Sequence, residues 1–231
     1  MTQHAWIVGA LFYLLLWCIL FVWRKEFRKE MLIVSLFTLP LGLTEPLFVP
    51  SYWHPPSLFN LAMRTGFDIE SLIFSFAIGG IAAVIYQSIF KVQLQSVSKK
   101  EMSRKRHRWH GFILMLPAII FALLAVLTSW NNIYSASIAL FVGSLAAGYC
   151  RPDLKKKIWV GGLLFLFLYS IFFWVLIFIF PDFVKEAWNL SALSGILTLG
   201  IPIEELLFAF TFGMLWSSLY EHFFWLKCKD T

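Results

Sequence analysis

Charged residues are scarce in this chain of 231 residues, and most of them lie between long apolar stretches. Asp, Glu, Lys and Arg together make up 14% of the sequence, whereas a soluble domain usually contains about 25%. Apolar residues account for 60%, and the mean hydropathy is +0.77. This balance excludes an ordinary soluble fold and predicts a protein that lies in a lipid bilayer.

Cysteine is also rare, and the usual cofactor motifs are missing. Cys18, Cys150 and Cys228 are isolated from one another, which argues against a disulfide framework. The five histidines are scattered, with His107 and His110 in a basic loop, so no metal-ligand spacing is apparent. No G-x-G-x-x-G motif follows a predicted strand. We therefore expect neither a metal nor a dinucleotide cofactor.

Seven stretches are long and apolar enough to cross a membrane, which takes about 20 residues per helix. They are 5–23, 31–49, 67–90, 111–129, 132–149, 158–180 and 200–223. The second is the least regular, because it contains Pro40 and Pro46. The sequence thus predicts an all-α polytopic protein with seven transmembrane helices, forming a single membrane domain over residues 1–231.

The basic residues predict how the helices are oriented. Of the 19 lysines and arginines, all but Arg64 and Lys185 lie in the loops that follow odd-numbered spans or after the last span. Because cytoplasmic loops are enriched in Lys and Arg, this places the N-terminus outside and the C-terminus inside. The same rule explains the basic run at 99–108, so we predict no nucleic-acid partner.

An internal repeat organises the spans. Residues 67–87 align with 201–221 without a gap, and seven of the 21 positions are identical. The identical pairs are Ile69/Ile203, Glu70/Glu204, Leu72/Leu206, Phe74/Phe208, Phe76/Phe210, Gly79/Gly213 and Tyr86/Tyr220. The prediction is a 3+1+3 arrangement, with repeat one at about 5–90, a connector at 111–129 and repeat two at about 132–223. Four spans separate equivalent positions, so the repeats run parallel.

Five carboxylates lie at the predicted outer ends of three spans: Glu45, Asp68, Glu70, Glu204 and Glu205. An acid within a membrane is costly, at about 2.5–3.5 kcal/mol on insertion scales, and usually faces the interior of the bundle. Some of these acids also suit a helix start, where they favour the helix dipole. The repeat nevertheless preserves one glutamate in each half, which points to a shared pocket.

Carboxyls surrounded by aromatic rings suit a particular chemistry. A carboxyl in apolar surroundings can donate a proton, a neighbouring carboxylate can accept one, and aromatic faces stabilise a cation. Together they favour protonation of an alkene, a carbocation, and loss of a proton elsewhere. A proton-coupled small-molecule carrier and a catalytically inactive membrane partner subunit remain alternatives. A retinal protein is excluded, because no span contains a lysine.

Residues 188–208, WNLSALSGILTLGIPIEELLF, resemble the Trp…Gly…Pro-x-Glu-Glu…Phe signature of the membrane-integral lycopene cyclase domain. That family includes heterodimers of three-span subunits and fused two-repeat chains. The resemblance implies cofactor-independent, proton-initiated cyclisation of a lipid-soluble carotenoid in the plasma membrane of a prokaryote, with other carotenoid-pathway enzymes as candidate partners. The first half departs from the signature, because it reads Asp68-Ile69-Glu70-Ser71.

The resemblance also implies roles for individual residues. Glu204 and Glu205 would be catalytic, and Glu70 would be their counterpart in the first half. Glu45 and Asp68 are candidates for tuning those acids. The expected substrate-lining residues are aromatic, namely Phe74, Phe208, Phe76, Phe210, Trp53 and Trp188. Gly79 and Gly213 are expected to permit close contact between helices.

Overall fold

Helices dominate the computed structural model, which describes residues 2–230. Ten α-helices lie within those residues. They are α1 (Ala5–Trp23), α2 (Arg28–Thr38), α3 (Leu61–Thr65), α4 (Ile69–Ile89), α5 (Lys99–Met102), α6 (His110–Leu127), α7 (Asn132–Cys150), α8 (Lys155–Ile179), α9 (Phe183–Ala187) and α10 (Ile203–Phe224). Each predicted span overlaps one of the longer helices, α1, α2, α4, α6, α7, α8 or α10.

Six helical segments in the described part of the chain are long and apolar enough to cross a membrane. They are Ala5–Trp23, Lys25–Leu47, Ile69–Ile89, Lys105–Leu127, Asn132–Cys150 and Pro152–Ile179. The chain is therefore an integral membrane protein. The last long helix, α10, is not one of these six; it has 22 residues and contains Glu204, Glu205 and Glu221.

The second span changes from an α-helix to a 3₁₀-helix at its midpoint. The 3₁₀ part, Leu39–Leu47, contains Pro40 and Pro46, which have no backbone N–H to donate within a helix. Gly42 lies against the start of α4, where an added Cβ would be 2.8 Å from the backbone oxygen of Ser71. The predicted irregularity of this span is thus confirmed, and it brings the span end close to the first turn of α4.

The chain forms two compact units. The first contains the chain up to Ile81, Asn131–Ile133 and Phe167–Leu207; the second contains Ala82–Trp130, Tyr134–Leu166 and the chain from Phe208 onward. All five predicted carboxylates belong to the first unit. They are all buried, with exposures of 8% or less.

Small residues allow close helix contacts within each unit. In the first unit, a Cβ on Gly79 would lie 2.2 Å from the Thr38 hydroxyl oxygen. In the second unit, a Cβ on Gly213 would lie 2.5 Å from Phe165 Cβ and 3.0 Å from the backbone oxygen of Gly161. Both glycines therefore occupy the close helix contacts that the sequence predicts for them.

Two short antiparallel ribbons connect the helices, and the sequence did not predict them. Strand β1 (Val92–Ser96) pairs with β4 (Leu226–Asp230), with Leu94 opposite Cys228. Strand β2 (Leu197–Thr198) pairs with β3 (Ile201–Pro202) in a hairpin that leads directly into α10.

Candidate active site

Glu205 accepts hydrogen bonds from three side chains inside the first unit. Its Oε2 accepts from the Tyr169 hydroxyl at 2.5 Å, while its Oε1 accepts from the Trp188 indole N–H at 2.9 Å and from the Tyr52 hydroxyl. Glu205 is only 4% exposed. Hydrogen bonds donated to both oxygens orient this carboxyl and favour its charged form, whereas burial opposes that form.

Separate segments of the chain bring these donors together. One tyrosine comes from the middle of α8, while Tyr52 and Trp188 come from two connecting segments that bond to each other. The Asn189 N–H donates to the Tyr52 backbone oxygen at 2.9 Å. Trp53 and Trp188 form an antiparallel bridge, and their ring centroids are 5.4 Å apart. The backbone pairing thus holds Tyr52 and Trp188 close to each other, on the segments that donate to Glu205.

A tight hairpin sets the start of α10, which carries the Glu-Glu pair. Its two central residues, Leu199 and Gly200, have φ values of +52° and +85°. Two positive φ values are typical of the type I′ turn that joins adjacent antiparallel strands. Glycine adopts this conformation readily, whereas leucine does so at some cost in conformational energy. The hairpin directs the chain into the helix two residues before Glu204.

Glu70 and Glu204, which correspond in the repeat, make corresponding hydrogen bonds. The Glu70 Oε1 accepts from the Leu58 N–H at 2.7 Å, and the Glu204 Oε1 accepts from the Ser194 N–H at 2.9 Å. Each glutamate lies in the first turn of its helix and bonds to the segment that precedes that helix. The Glu70 Oε2 is buried and has no hydrogen-bond partner among residues 2–230. This oxygen therefore has an unused capacity to accept or donate a hydrogen bond.

Glu45 and Asp68 converge on one serine. The Asp68 Oδ1 accepts from the Ser71 N–H at 2.5 Å, and the Glu45 Oε2 accepts from the Ser71 hydroxyl at 2.7 Å. The contact of Asp68 with the third residue of α4 is a helix N-cap, so the helix-start interpretation of this residue is confirmed. Glu45 is placed beside the same helix start by the 3₁₀ segment.

Three of the predicted lining residues belong to one aromatic cluster in the first unit. Trp53 lies between two tryptophans, with centroid distances of 4.7 Å to Trp6 and 5.4 Å to Trp188. Phe74 lies 5.0 Å from Trp6 and 5.4 Å from Tyr13. The Trp188 ring also bonds to Glu205, so the aromatic cluster reaches the carboxylate directly.

The other three predicted lining residues have different neighbours. Phe76 contacts Trp17, with ring centroids 5.0 Å apart. In the second unit, Phe208 packs against Phe212 at 5.5 Å, and Phe210 packs against Trp159 at 6.1 Å. Phe76 and Phe210 thus pack against other helices, whereas Phe208 packs against a residue one turn along its own helix.

Tyr52 and Tyr169 are functional candidates that the sequence analysis missed. They lie 153 and 36 positions before Glu205, so no local pattern links them to it. Tyr169 did carry a signal, because it is the one tyrosine in the predicted span 158–180. A buried tyrosine hydroxyl in an apolar helix needs a hydrogen-bond partner, and a buried acid elsewhere in the chain is a natural one.

The lycopene cyclase family model matches residues 131–223, which contain α7, α8, α9 and all of α10 except its last residue. No curated protein and no solved structure matches the chain. This part of the chain is therefore similar to the lycopene cyclase family, as the Pro-x-Glu-Glu element predicts.

Proposed function

We propose that this protein cyclises the end groups of a lycopene-type carotenoid by acid–base catalysis without a cofactor. The observation that carries the proposal is the buried Glu205 carboxylate, bonded to three donors and adjacent to an aromatic cluster. The family match over residues 131–223 supports the same reaction class. An enzyme of this kind is an intramolecular lyase or isomerase, because substrate and product have the same composition.

The proposed reaction transfers one proton in and one proton out. Glu70 or Glu204, in its protonated form, donates a proton to the terminal double bond of the polyene. The resulting carbocation forms a carbon–carbon bond to close the ring. The Glu205 carboxylate then accepts a proton from the ring, which restores an alkene and balances the reaction. The faces of Trp53, Trp188 and Phe74 stabilise the intermediate cation electrostatically.

Substrate entry requires movement of side chains. Glu70, Glu204 and Glu205 are 0%, 1% and 4% exposed. A polyene end group can reach them only if neighbouring aromatic residues shift aside. Exclusion of water by the same residues suits the chemistry, since water would otherwise trap the cation.

Two features support a fused two-repeat architecture. The family match, 131–223, nearly coincides with the predicted second repeat, 132–223. Residues that correspond in the repeats also pair with each other: Leu94 with Cys228 in the β1–β4 ribbon, and Trp53 with Trp188 in the bridge. Contact between equivalent residues is what a two-fold axis produces. The parallel 3+1+3 arrangement would provide such an axis along the membrane normal.

The same pairings support α10 as a seventh span. Strands β1 and β4 pair, so they lie on one side of the membrane, and an even number of crossings must separate them. The helices α6, α7 and α8 provide three crossings, and α10 provides the fourth. Its 22 residues give a length of about 33 Å, enough for a hydrocarbon core of about 30 Å. Seven spans, with the positive loops inside, place the N-terminus outside. We place the protein in a prokaryotic plasma membrane.

The test is expression in bacteria that accumulate lycopene, followed by chromatography of the pigments. The wild-type chain should yield monocyclic or bicyclic products. Glu205→Gln should lower cyclisation by about 10²–10⁴-fold, the usual contribution of a general base, and Glu204→Gln tests the neighbouring acid. Asp182→Asn removes an exposed acid from the segment before Trp188 and should keep full activity.

Two results would contradict the proposal. Unchanged lycopene in cells that contain the inserted wild-type chain would count against cyclase activity and favour an inactive partner subunit. A fully active Glu205→Gln variant would refute the assigned base.

A proton-coupled carrier is the second candidate, favoured by another set of buried charges. In the second unit, Lys157 donates to Glu221, and both side chains are at most 2% exposed. Buried ion pairs within membrane helices often mark proton or ion pathways. If the protein drives proton-coupled uptake into liposomes, and Glu221→Gln abolishes that uptake, the carrier is favoured over the cyclase.

A further inference from the structure

Two histidines and a cysteine that are far apart in sequence meet in the second unit. The Cys150 Sγ lies 3.4 Å from His107 Nδ1 and 3.5 Å from His110 Nδ1. One ligand atom from each of the three residues lies within 4.8 Å of the others. His107 and Cys150 are buried, and His110 is partly buried. The three potential ligand atoms therefore lie close together.

The spacing matches that of a tetrahedral zinc site. Zinc binds thiolate sulfur at about 2.3 Å and imidazole nitrogen at about 2.0–2.1 Å, so the sulfur and nitrogen ligands of one tetrahedral ion lie about 3.5 Å apart. Both sulfur–nitrogen distances in this cluster have that value within 0.1 Å. One thiolate and two imidazoles are ligands that zinc accepts, with a fourth position left for another group.

A backbone contact orients one of the histidines for metal binding. The His110 Nε2 lies 3.1 Å from the backbone oxygen of His222, and a carbonyl can only accept a hydrogen bond. The Nε2 therefore carries the proton, which leaves the lone pair of Nδ1 directed toward Cys150. Histidines that bind metals commonly donate their second N–H to a carbonyl in this way.

His222 is a candidate fourth ligand. Its side chain is 1% exposed, and neither ring nitrogen has a hydrogen-bond partner among residues 2–230. Its ring stacks on that of His110, with centroids 4.4 Å apart. A buried imidazole without partners is unusual, because buried polar groups are normally hydrogen-bonded. A rotation of this side chain toward the cluster would give it a partner.

Ion pairs lie beside the cluster, and Glu101 pairs with both Arg104 and Arg106. Arg151 bonds to Asp153, and Arg106 bonds to Glu101. The His107 Nε2 lies 3.3 Å from the Arg106 Nε and 3.8 Å from the Glu101 carboxylate. The Arg106 Nε–H donates to the His107 Nε2, so binding of a metal at Nδ1, which places a proton on Nε2, requires Arg106 to move away and Glu101 to approach.

We propose that His107, His110 and Cys150 bind a zinc-class transition-metal ion, with His222 or water as the fourth ligand. On binding, the Cys150 thiol releases its proton to solvent, and the thiolate coordinates the ion. The ion joins the segment before α6, the first residue of α6 and the last residue of α7, with His222 near the end of α10. This site lies in the second unit and takes no part in the acid–base steps assigned to the first.

The alternative is a purely packed aromatic cluster. The Trp225 ring stacks on His110 with centroids 3.9 Å apart and meets His107 edge-on at 5.0 Å. Stacking of this kind needs the rings but not the thiol or the free nitrogen lone pairs. Replacement of Cys150 by serine preserves the rings, so it separates the two interpretations.

The experiment uses the full chain, purified in detergent without a histidine tag. After chelator treatment and removal of the chelator, Zn²⁺ or Co²⁺ is added, and bound metal is measured by mass spectrometry. The wild-type chain should bind one equivalent, show thiolate-to-cobalt charge transfer with Co²⁺, and unfold at a higher temperature with Zn²⁺ than without it. Cys18→Ser, which removes an exposed thiol on α1, should behave in the same way.

The variants Cys150→Ser and His110→Gln should bind Zn²⁺ more than about tenfold more weakly, and Zn²⁺ should no longer raise their unfolding temperature. A wild-type chain that binds no stoichiometric metal would overturn the proposal, whatever the variants do. Unchanged binding by Cys150→Ser would overturn it as well. Neither bound metal nor the unfolding temperature depends on pigment formation, so these experiments test the metal site independently of the cyclase activity.

Discussion

At the residue scale, the three donors around Glu205 distinguish it from the other buried acids. Glu70 and Glu204 each accept a backbone N–H from a preceding segment, a contact that also holds that segment in place. Glu205 instead accepts from the side chains of Tyr52, Tyr169 and Trp188. Side-chain donors gathered from distant parts of the chain are not needed to build a helix start. Their arrangement around one carboxylate points to a chemical role.

Tyr169→Phe should impair catalysis while preserving the fold. The substitution keeps the ring but removes one of the three hydrogen bonds that orient the Glu205 carboxyl group as the proposed base. A hydrogen bond to a charged group contributes about 1.5–3 kcal/mol, which corresponds to a loss of roughly 10- to 100-fold in cyclisation rate. The rate is measured from product formed per inserted protein in lycopene-accumulating cells.

Tyr13→Phe is the matched control. Its ring lies in the same aromatic cluster, and its buried hydroxyl has no hydrogen-bond partner in the described part of the chain. Removal of an unpartnered hydroxyl should leave the rate nearly unchanged. Equal rates for the two variants would show that the bond from Tyr169 to Glu205 contributes nothing to the reaction.

The sequence identified the acids but not their partners. An acid in an apolar helix stands out locally, and the repeat singles out Glu70 and Glu204. The partners of Glu205 depend on the tertiary fold, because Tyr52 is 153 residues away. The His107–Cys150 contact spans 43 residues in the same way and has no local signature. Long-range convergence of this kind cannot be read from spacing along one chain.

At the element scale, close helix contacts depend on glycines whose neighbours have little room to move. Gly213→Ala should destabilise the protein, because the new methyl would lie 3.0 Å from a backbone oxygen, that of Gly161, and 2.5 Å from Phe165 Cβ. Overpacking of this kind costs about 1–3 kcal/mol. A lower unfolding temperature in detergent is the expected result.

Gly111→Ala provides the comparison. No heavy atom lies within 4 Å of the position that its Cβ would occupy, and alanine favours helix formation over glycine. This variant should unfold at or slightly above the wild-type temperature. If Gly213→Ala and Gly111→Ala are equally stable, close packing at Gly213 is not required.

Most of the elements could be predicted from hydropathy alone. The predicted and observed ends of the spans differ by only a few residues, for example 5–23 against Ala5–Trp23 and 158–180 against Lys155–Ile179. The β1–β4 ribbon was missed although VQLQS and LKCKD each alternate apolar and polar residues as strands do. Two short segments so far apart in sequence pair only through the tertiary fold. The prolines of the second span predicted an irregular helix there, and the structure has a 3₁₀ segment at that place.

At the scale of the whole molecule, the topology makes a direct prediction about membrane sidedness. Three variants each add one cysteine at an exposed position: Lys185→Cys, Lys100→Cys or Lys229→Cys. Intact cells that contain each variant are treated with a membrane-impermeant maleimide. Labelling above the parent chain is expected only for Lys185→Cys, because its loop is predicted to lie outside. The other two should react only after permeabilisation.

Lys229→Cys tests the seventh span in particular. If α10 did not cross the membrane, position 229 would lie on the same side as position 185, and both would react in intact cells. The pairing of β1 with β4 requires that positions 100 and 229 behave alike. Opposite labelling of those two positions would contradict the pairing and the parallel repeat together.

In the proposed mechanism, buried carboxyls alone donate the proton that starts cyclisation and accept the different proton that ends it. The most direct measurement is cyclisation by the purified protein in D₂O, with a lycopene-type substrate, no added cofactor, and mass spectrometry of the pigment. The donated proton comes from a carboxyl that exchanges with solvent, and the lost proton comes from the substrate. The product should therefore gain a single deuterium for each ring formed. A cyclic product without deuterium, or no cyclic product in the absence of a cofactor, would contradict this mechanism.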